Sequence, residues 1–407
     1  MIKKFAVAAL AAVIFSIMVS PVATGAETDI KVRAVSAEAE FPYLLDFYIE
    51  AESNVDITDI RLYYRVERDG FAKVTSEVEI EFNPSRNIDA AWTMEMLKSG
   101  GFPPGTVIDY WWTLADSAGS VLQTEIYEVQ FNDTRYDWQS ISQGNISLYW
   151  YNGDDAFTNQ IMQAIQKAIA RITSDTGAYL EKPVSVYIYA SSQEMQGAMI
   201  YPQEWAGGVA FTRYGIMIIG INKGNLEWGK GAIAHEFMHL VTHQMTYNPY
   251  NSMPVWLNEG LSEYAEGEMD ATSTFYLEQA VLQDKLISVR SLASPFSADS
   301  QISYQSYAQS LSLVEYLIDN YGRDRMFEML STFRQGSTYD AALLKVYGFD
   351  MSGLNDLWRE YIIRQYNPEA VGVSSPLQVV VFSAISITML MMMGVVAGKR
   401  LWWRTGY

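Results

Sequence analysis

The feature that most constrains the fold is a change in hydrophobic period along the chain. Residues 28–132 alternate apolar and polar positions in short runs, with turn signals about every 8 to 12 residues. This pattern indicates about seven strands, with Asp69 and Gly70 forming one hairpin turn. Because about 100 residues of this kind are typical of two-layer β folds, residues 27–135 predict an antiparallel β-sandwich of the immunoglobulin or fibronectin type III kind.

From about residue 145 the pattern becomes mixed and then helical. Asp154 and Asp155 are N-cap residues for a helix whose apolar positions recur at helical spacing and end near Gly177. Strand-like runs and a short helix follow, and after residue 228 nearly every segment has a helical period. Residues 145–367 therefore predict a small sheet followed by a helical lobe, which makes the chain α+β.

Both ends of the chain are apolar. Residues 1–26 have the charged, apolar and small-residue segments of a secretory signal peptide, the alternative being an uncleaved N-terminal anchor. Residues 377–398 are 22 consecutive uncharged residues, long enough for one transmembrane helix. The basic tail, residues 399–407, predicts that this end is cytoplasmic. We therefore expect a single-pass type I protein of the cell membrane with residues 27 to about 370 outside.

A pair of small residues lies in the predicted transmembrane helix. Gly394 and Gly398 form a GxxxG motif, which can pack two such helices together as a homodimer. Because small-residue pairs are common in apolar segments, this is a weak indication.

Composition excludes several classes of function. The net charge of −19 and the absence of a basic run argue against nucleic acid as a partner. The chain has no cysteine, which excludes thiol nucleophiles, disulfides and cysteine-based zinc sites. Any metal must therefore be held by His, Asp or Glu.

The segment HEFMH contains two of the three histidines in the chain. On a helix, His235 and His239 project from one face, so both rings can reach a single Zn²⁺ ion. Glu236 then lies beside the metal, where a carboxylate can take a proton from water. Random placement gives such a motif in about three chains in a thousand, which favours a metal site over an ordinary pair of surface histidines.

A catalytic zinc site needs a third protein ligand. His243 continues the same helix about 12 Å along the axis from His235, too far to join the group, and we expect it one turn past the site, either in a structural role or supporting the ligands. Pro249 and Pro254 mark a loop, after which a second helix can return antiparallel. Glu259 of that helix would then face the two histidines.

In these residues the chain resembles the gluzincin (clan MA) zinc metallopeptidases. HEFMH followed by Glu259 in WLNEG is similar to M1 family peptidases, and secreted proteins with a peptidase MA-like domain share the layout. NEGLSE is similar to the thermolysin segment in which an acid holds a zinc histidine, and that acid here is Glu263. The resemblance implies a thermolysin-like domain with one Zn²⁺ per chain.

The resemblance also implies an oxyanion-stabilising tyrosine and a substrate-binding edge strand. Tyr307 opens a segment similar to the M1 tyrosine helix, with Gln309 and Ser310 replacing Lys and Gly, and Tyr304 is the second choice. The strand corresponding to the M1 GxMEN strand is GGVAF, which lacks the acid that holds a free amino terminus. Its first residues, Gly207 and Gly208, either admit an extended peptide beside the strand or form a simple turn.

Together these observations predict a membrane-anchored, extracytoplasmic zinc peptidase acting on peptide or protein substrates. The alternative is a surface adhesion or scaffold protein, in which the β-sandwich binds a partner and the zinc site is structural or inactive.

Overall fold

The computed structural model describes residues 29–202 and 206–367. The predicted signal peptide, transmembrane helix, GxxxG pair and cytoplasmic tail lie outside these residues. Within the described ranges, no helix combines the length and the apolar composition needed to cross a membrane.

The N-terminal part of the described chain is an antiparallel sheet, as predicted. Its strands are β1 Lys31–Glu40, β2 Leu44–Val66, β3 Ser76–Glu79, β4 Ser85–Glu95, β5 Thr106–Asp116, β6 Val121–Gln123 and β7 Tyr127–Phe131. The short helix α1, Met96–Ser99, joins β4 to β5. An immunoglobulin or fibronectin type III arrangement of these strands stays a prediction.

Strand β2 is one continuous strand of 23 residues where the sequence indicated two. Its first half pairs with β1 and β4, its second half pairs with β3 and β5, and the register shifts between Glu52 and Ile57. Phe47 of the first half packs on Tyr64 of the second half and on Tyr110 of β5. The polar residues between the halves therefore belong to the strand rather than to a turn.

A second sheet lies C-terminal to the first. Its strands within the described residues are β8 Gln139–Gln143, β9 Ile146–Trp150, β10 Val184–Tyr189, β11 Gly208–Phe211 and β12 Ile216–Gly220, in the spatial order β11-β12-β10-β9-β8. The three central strands are parallel, and both edge strands are antiparallel to their neighbours. Strand β8 was not predicted, because it is a largely exposed edge strand without an apolar alternation.

The second sheet is covered on both faces. Val186 and Ile188 of β10 belong to the apolar core shared with the helices. Tyr187 and Tyr189, which alternate with them, belong to the core shared with the N-terminal sheet. The N-terminal sheet therefore packs directly against the sheet that carries the helical lobe.

The helices of the lobe follow the predicted helical periods. They are α2 Asp155–Thr176, α3 Ser192–Gln196, α4 Leu226–Thr246, α5 Val255–Glu266, α6 Ala271–Leu282, α7 Ser300–Arg334, α8 Tyr339–Tyr347 and α9 Met351–Tyr366. Asp154 caps α2 by accepting a hydrogen bond from the Phe157 N–H, and Gly177 ends α2 in the left-handed conformation, as predicted. Helix α7 is interrupted at Gly322, whose φ is 80°.

Candidate metal centre

Three of the predicted site residues converge between α4 and α5. Nε2 of His235 lies 3.6 Å from Oε2 of Glu259, and Nε2 of His239 lies 3.7 Å from the same oxygen. Ligand atoms about 2.1 Å from a tetrahedral zinc are about 3.4 Å apart, so the donor set fits such an ion. The group His235, His239 and Glu259 could therefore hold one zinc ion.

The loop between α4 and α5 directs the second helix back along the first. The Asn248 side-chain amide donates to the carbonyl oxygens of Thr246, Asn251 and Phe333, and its oxygen accepts from the N–H groups of Tyr250 and Asn251. This network folds the loop without a regular turn. His235, the earlier histidine in α4, contacts the later residues of α5, and His239 contacts the earlier ones. The two helices therefore run antiparallel, as predicted.

Gly260 determines how closely α5 packs against α7. A Cβ at Gly260 would lie 2.3 Å from the carbonyl oxygen of Ser310, in α7. Gly260 follows Glu259 directly, so the close crossing of α5 and α7 sets the position of that carboxylate relative to α4. The sequence contains this glycine in WLNEG, but its packing role was not predicted.

The second ring nitrogen of His235 faces two carboxylates. Its Nδ1 lies 3.4 Å from Oε1 of Glu263 and 3.6 Å from Oε2 of Glu266. Burial alone would lower the pKa of His235, but the carboxylates, led by Glu259, outweigh it and raise that pKa. Burial raises the pKa of Glu263. An imidazole N–H held by a carboxylate presents its other nitrogen to a metal, and Glu266 joins the predicted Glu263 in this position.

Two further α5 residues, missed by the sequence analysis, contact His239. Nδ1 of His239 lies 3.0 Å from Nδ2 of Asn258 and 3.2 Å from Oγ of Ser262. The Thr242 hydroxyl donates to Oδ1 of Asn258 at 3.0 Å. If a metal bound Nε2, Nδ1 would carry the hydrogen; Ser262 Oγ could accept it, whereas Asn258 Nδ2 can only donate and could not. In the sequence, only their position could have indicated this contact: Asn258 directly precedes Glu259, and Ser262 follows Glu259 by about one helical turn.

Strand β11 lies against Glu236. A Cβ at Gly208 would be 2.9 Å from Cγ of Glu236, and a Cβ at Gly207 would be 2.6 Å from the Trp228 indole. Strand β11 is an edge strand, and in the described part of the chain its ladder partner is β12 alone. The two glycines therefore make room for neighbouring side chains, and the strand that begins at Gly208 has an open edge beside Glu236.

Of the two candidate tyrosines, the structure brings one to the metal group. The Tyr307 ring lies 6.4 Å from the His235 ring and is held edge-on by Phe296 at 5.1 Å. Tyr304 is 47% exposed and stacks on Tyr276 instead. Burial raises the pKa of Tyr307, and nearby carboxylates raise it further, so its hydroxyl stays protonated and can donate.

Gln309, two residues after Tyr307 in α7, has a packing role. Gln309 is fully buried, accepts from the Ile287 N–H at 3.0 Å and donates to the Ile287 carbonyl at 2.9 Å. Gln309 therefore ties α7 to the chain that follows α6. It does not belong to the group around the histidines.

His243 lies outside the group, where a structural role was expected. Its Nε2 is 3.7 Å from Oδ2 of Asp69, and its ring packs on Tyr247 with centroids 4.6 Å apart. Burial lowers the pKa of His243. Asp69 and Gly70 do not form a tight hairpin turn, because residues 67–75 make a longer loop that reaches α4.

A cleft opens beside the metal group, between the turn that follows β11 and the loop between α4 and α5. It has a volume of about 650 Å³, and its walls include Arg213, His239, His243, Tyr247 and Asn258. The cleft therefore begins at one member of the candidate metal group and extends along the loop between α4 and α5.

Comparison with known proteins agrees with this geometry. Residues 164–364 match the model of the Peptidase MA superfamily. The match supports a peptidase MA-like domain that includes α4, α5, Tyr307 and the whole candidate metal group. No curated protein matches the chain.

Solved structures share only short stretches with this chain. OgpA from Akkermansia muciniphila, solved as an inactive form with an O-glycopeptide, is 8% identical over 26% of this chain and 29% of its own, with a TM-score of 0.20. A family 64 β-1,3-glucanase from Paenibacillus barengoltzii is 18% identical over 30% and 27%, with a TM-score of 0.17. A family 56 carbohydrate-binding module is 15% identical over 25% and 98%, with a TM-score of 0.16. At these scores the similarities carry no argument about activity.

Proposed function

We propose that the peptidase MA-like domain is a zinc-dependent peptidase that hydrolyses peptide bonds. The observation that carries this proposal is the convergence of His235, His239 and Glu259, with Glu236 next to His235 in α4. The donor set fits a zinc ion, and a carboxylate outside that set is available for proton transfer.

Each side chain has a role that follows from its place. A zinc ion, when bound, would supply Lewis acidity and lower the pKa of water to near 7. Glu236 takes a proton from the attacking water and returns it to the leaving amine. Tyr307, which stays protonated, donates to the oxyanion of the attacked carbonyl. The open edge of β11 binds the substrate backbone as an added strand.

The proposed cellular arrangement rests on the ends of the sequence. We propose that residues 1–26 direct export and that residues 377–398 anchor the protein as a type I membrane protein. The peptidase domain would then act on peptides or proteins outside the cytoplasm. Gly394 and Gly398 would allow two anchors to pair.

The test compares the wild type with Glu236→Gln and a matched control, Glu227→Gln. Glu227 lies on the same helix but is 87% exposed, and its carboxylate pairs with Lys230. We expect all three proteins to bind one zinc ion. Wild type and Glu227→Gln should cleave casein, and Glu236→Gln should not.

The same measurements separate the enzyme from the scaffold alternative. If wild type holds zinc and cleaves no member of a broad peptide library, the site is structural and the proposal fails. If wild type and Glu236→Gln cleave at equal rates, Glu236 is not the base.

A further inference from the structure

The cleft beside His239 has a charge opposite to that of the chain. The protein has 47 acidic and 28 basic residues. Among the described residues that line this cleft, Arg213 carries a positive charge and none is Asp or Glu; burial lowers the pKa of His243, so that ring adds no charge. A wall of this composition attracts an anion in an otherwise acidic protein.

The arginine, Arg213, is held in place by the loop from the N-terminal sheet. Its backbone oxygen accepts from the Asp69 N–H at 2.6 Å, and its Nε donates to the Asp69 carbonyl at 3.0 Å. Tyr247 donates its hydroxyl to the same carbonyl at 3.2 Å. The guanidinium stem is therefore fixed from the side of the N-terminal sheet.

The two terminal nitrogens of Arg213 make no hydrogen bond or ion pair with any residue that the structure describes. The Asp69 carboxylate pairs with Lys182 instead, whose Nζ lies 2.5 Å from Asp69 Oδ1. Two parallel N–H donors on a fixed stem match the two oxygens of a carboxylate.

We propose that this cleft is a subsite that binds a carboxylate of the substrate through Arg213. The inference rests on the proposed peptidase function. The carboxylate is either an Asp or Glu side chain or the carboxyl terminus of the peptide, since both present the same two oxygens.

The position of the subsite relative to the cleaved bond follows from β11. Gly208 lies beside Glu236, and Arg213 lies in the turn just after β11 ends at Phe211. Phe211 lies three residues, or about 10 Å, beyond Gly208, and Arg213 follows two residues later, so a peptide paired with β11 passes Arg213 three to five residues from the cleaved bond. The preferred acid should therefore occupy one defined position in that range.

The test uses quenched fluorescent peptides with capped ends that differ only by Asp or Asn at one of five positions on either side of the cleaved bond. A second pair of neutral peptides differs by a free or amidated carboxyl terminus. We expect the wild type to favour the carboxylate member of one pair by about tenfold in kcat/KM, less at high salt. In Arg213→Gln that ratio should fall to near one.

Arg68→Gln is the control, because Arg68 lies on the 67–75 loop that contacts Arg213 but does not line the cleft. It should keep the wild-type ratio, which excludes a general effect of net charge. The proposal is overturned if Arg213→Gln keeps the preference, or if the wild type cleaves all pairs equally. Circular dichroism and thermal melting show whether each variant is folded.

Binding measured with the Glu236→Gln protein separates this proposal from the peptidase function itself. If the wild type cleaves nothing, yet Glu236→Gln binds the carboxylate peptide more tightly than its neutral partner, the peptidase proposal fails and the subsite stands. Adding Arg213→Gln should then abolish the difference in Kd. Equal binding of both peptides overturns the subsite, whatever the activity.

Discussion

Replacing Gly208 by alanine tests the link between the edge strand and the proposed base. The new Cβ would lie 2.9 Å from Cγ of Glu236, where ordinary contacts begin at 3.4 Å, so the Glu236 side chain must move by about 0.5 Å. Because this side chain can rotate away, the cost in folding free energy should be small, about 1 kcal/mol. Displacing a proton-transfer group on this scale should lower kcat by about 10- to 100-fold.

The assay measures kcat on a neutral peptide, zinc content and the thermal unfolding midpoint of the same preparation. We expect zinc content to stay at one per chain, because none of the three candidate ligands is touched. Glu236→Gln sets the lower limit of activity. A Gly208→Ala protein that retains more than half of the wild-type kcat would refute the placement of Glu236 as the base beside β11.

Further predictions concern the metal, the helix crossing, the oxyanion and the loop. Glu259→Gln should weaken zinc binding by at least about 100-fold in a chelator competition, and unchanged affinity would exclude it as a ligand. Gly260→Ala should lower the free energy of unfolding by about 3 kcal/mol in urea, since the new Cβ meets the α7 backbone; a loss below 1 kcal/mol contradicts the crossing. Tyr307→Phe should lower kcat by about 100-fold with little change in KM. A variant with the wild-type kcat would disprove this role for Tyr307. Asp69→Ala keeps both backbone bonds to Arg213 and frees Lys182, so the preference for a carboxylate should increase; a decrease would show that the Asp69 side chain positions Arg213.

Local spacing accounts for the parts of the site that were predicted. His235 and His239 are one helical turn apart, and this alone placed both rings on one face of α4. Glu259 required only a loop and a second helix, and the structure provides both. Asn258 and Ser262 were missed because their contact with His239 depends on the rotation of α5 about its axis. That rotation is set by the contact between Gly260 and α7, which involves residues 50 positions apart and leaves no local pattern.

Contacts between residues far apart in sequence also determine how the N-terminal sheet meets the rest of the protein. Its sequence indicated a separate β region with a tight turn at Asp69, and local pattern cannot show that Asp69 contacts Arg213, 144 residues later. Tyr187 and Tyr189 of the second sheet are buried against the N-terminal core, so removing that sheet would expose two large side chains. It would also remove the loop that fixes Arg213 at the rim of the cleft. The N-terminal sheet therefore completes the core beneath the second sheet, and its 67–75 loop holds the arginine that lines the cleft.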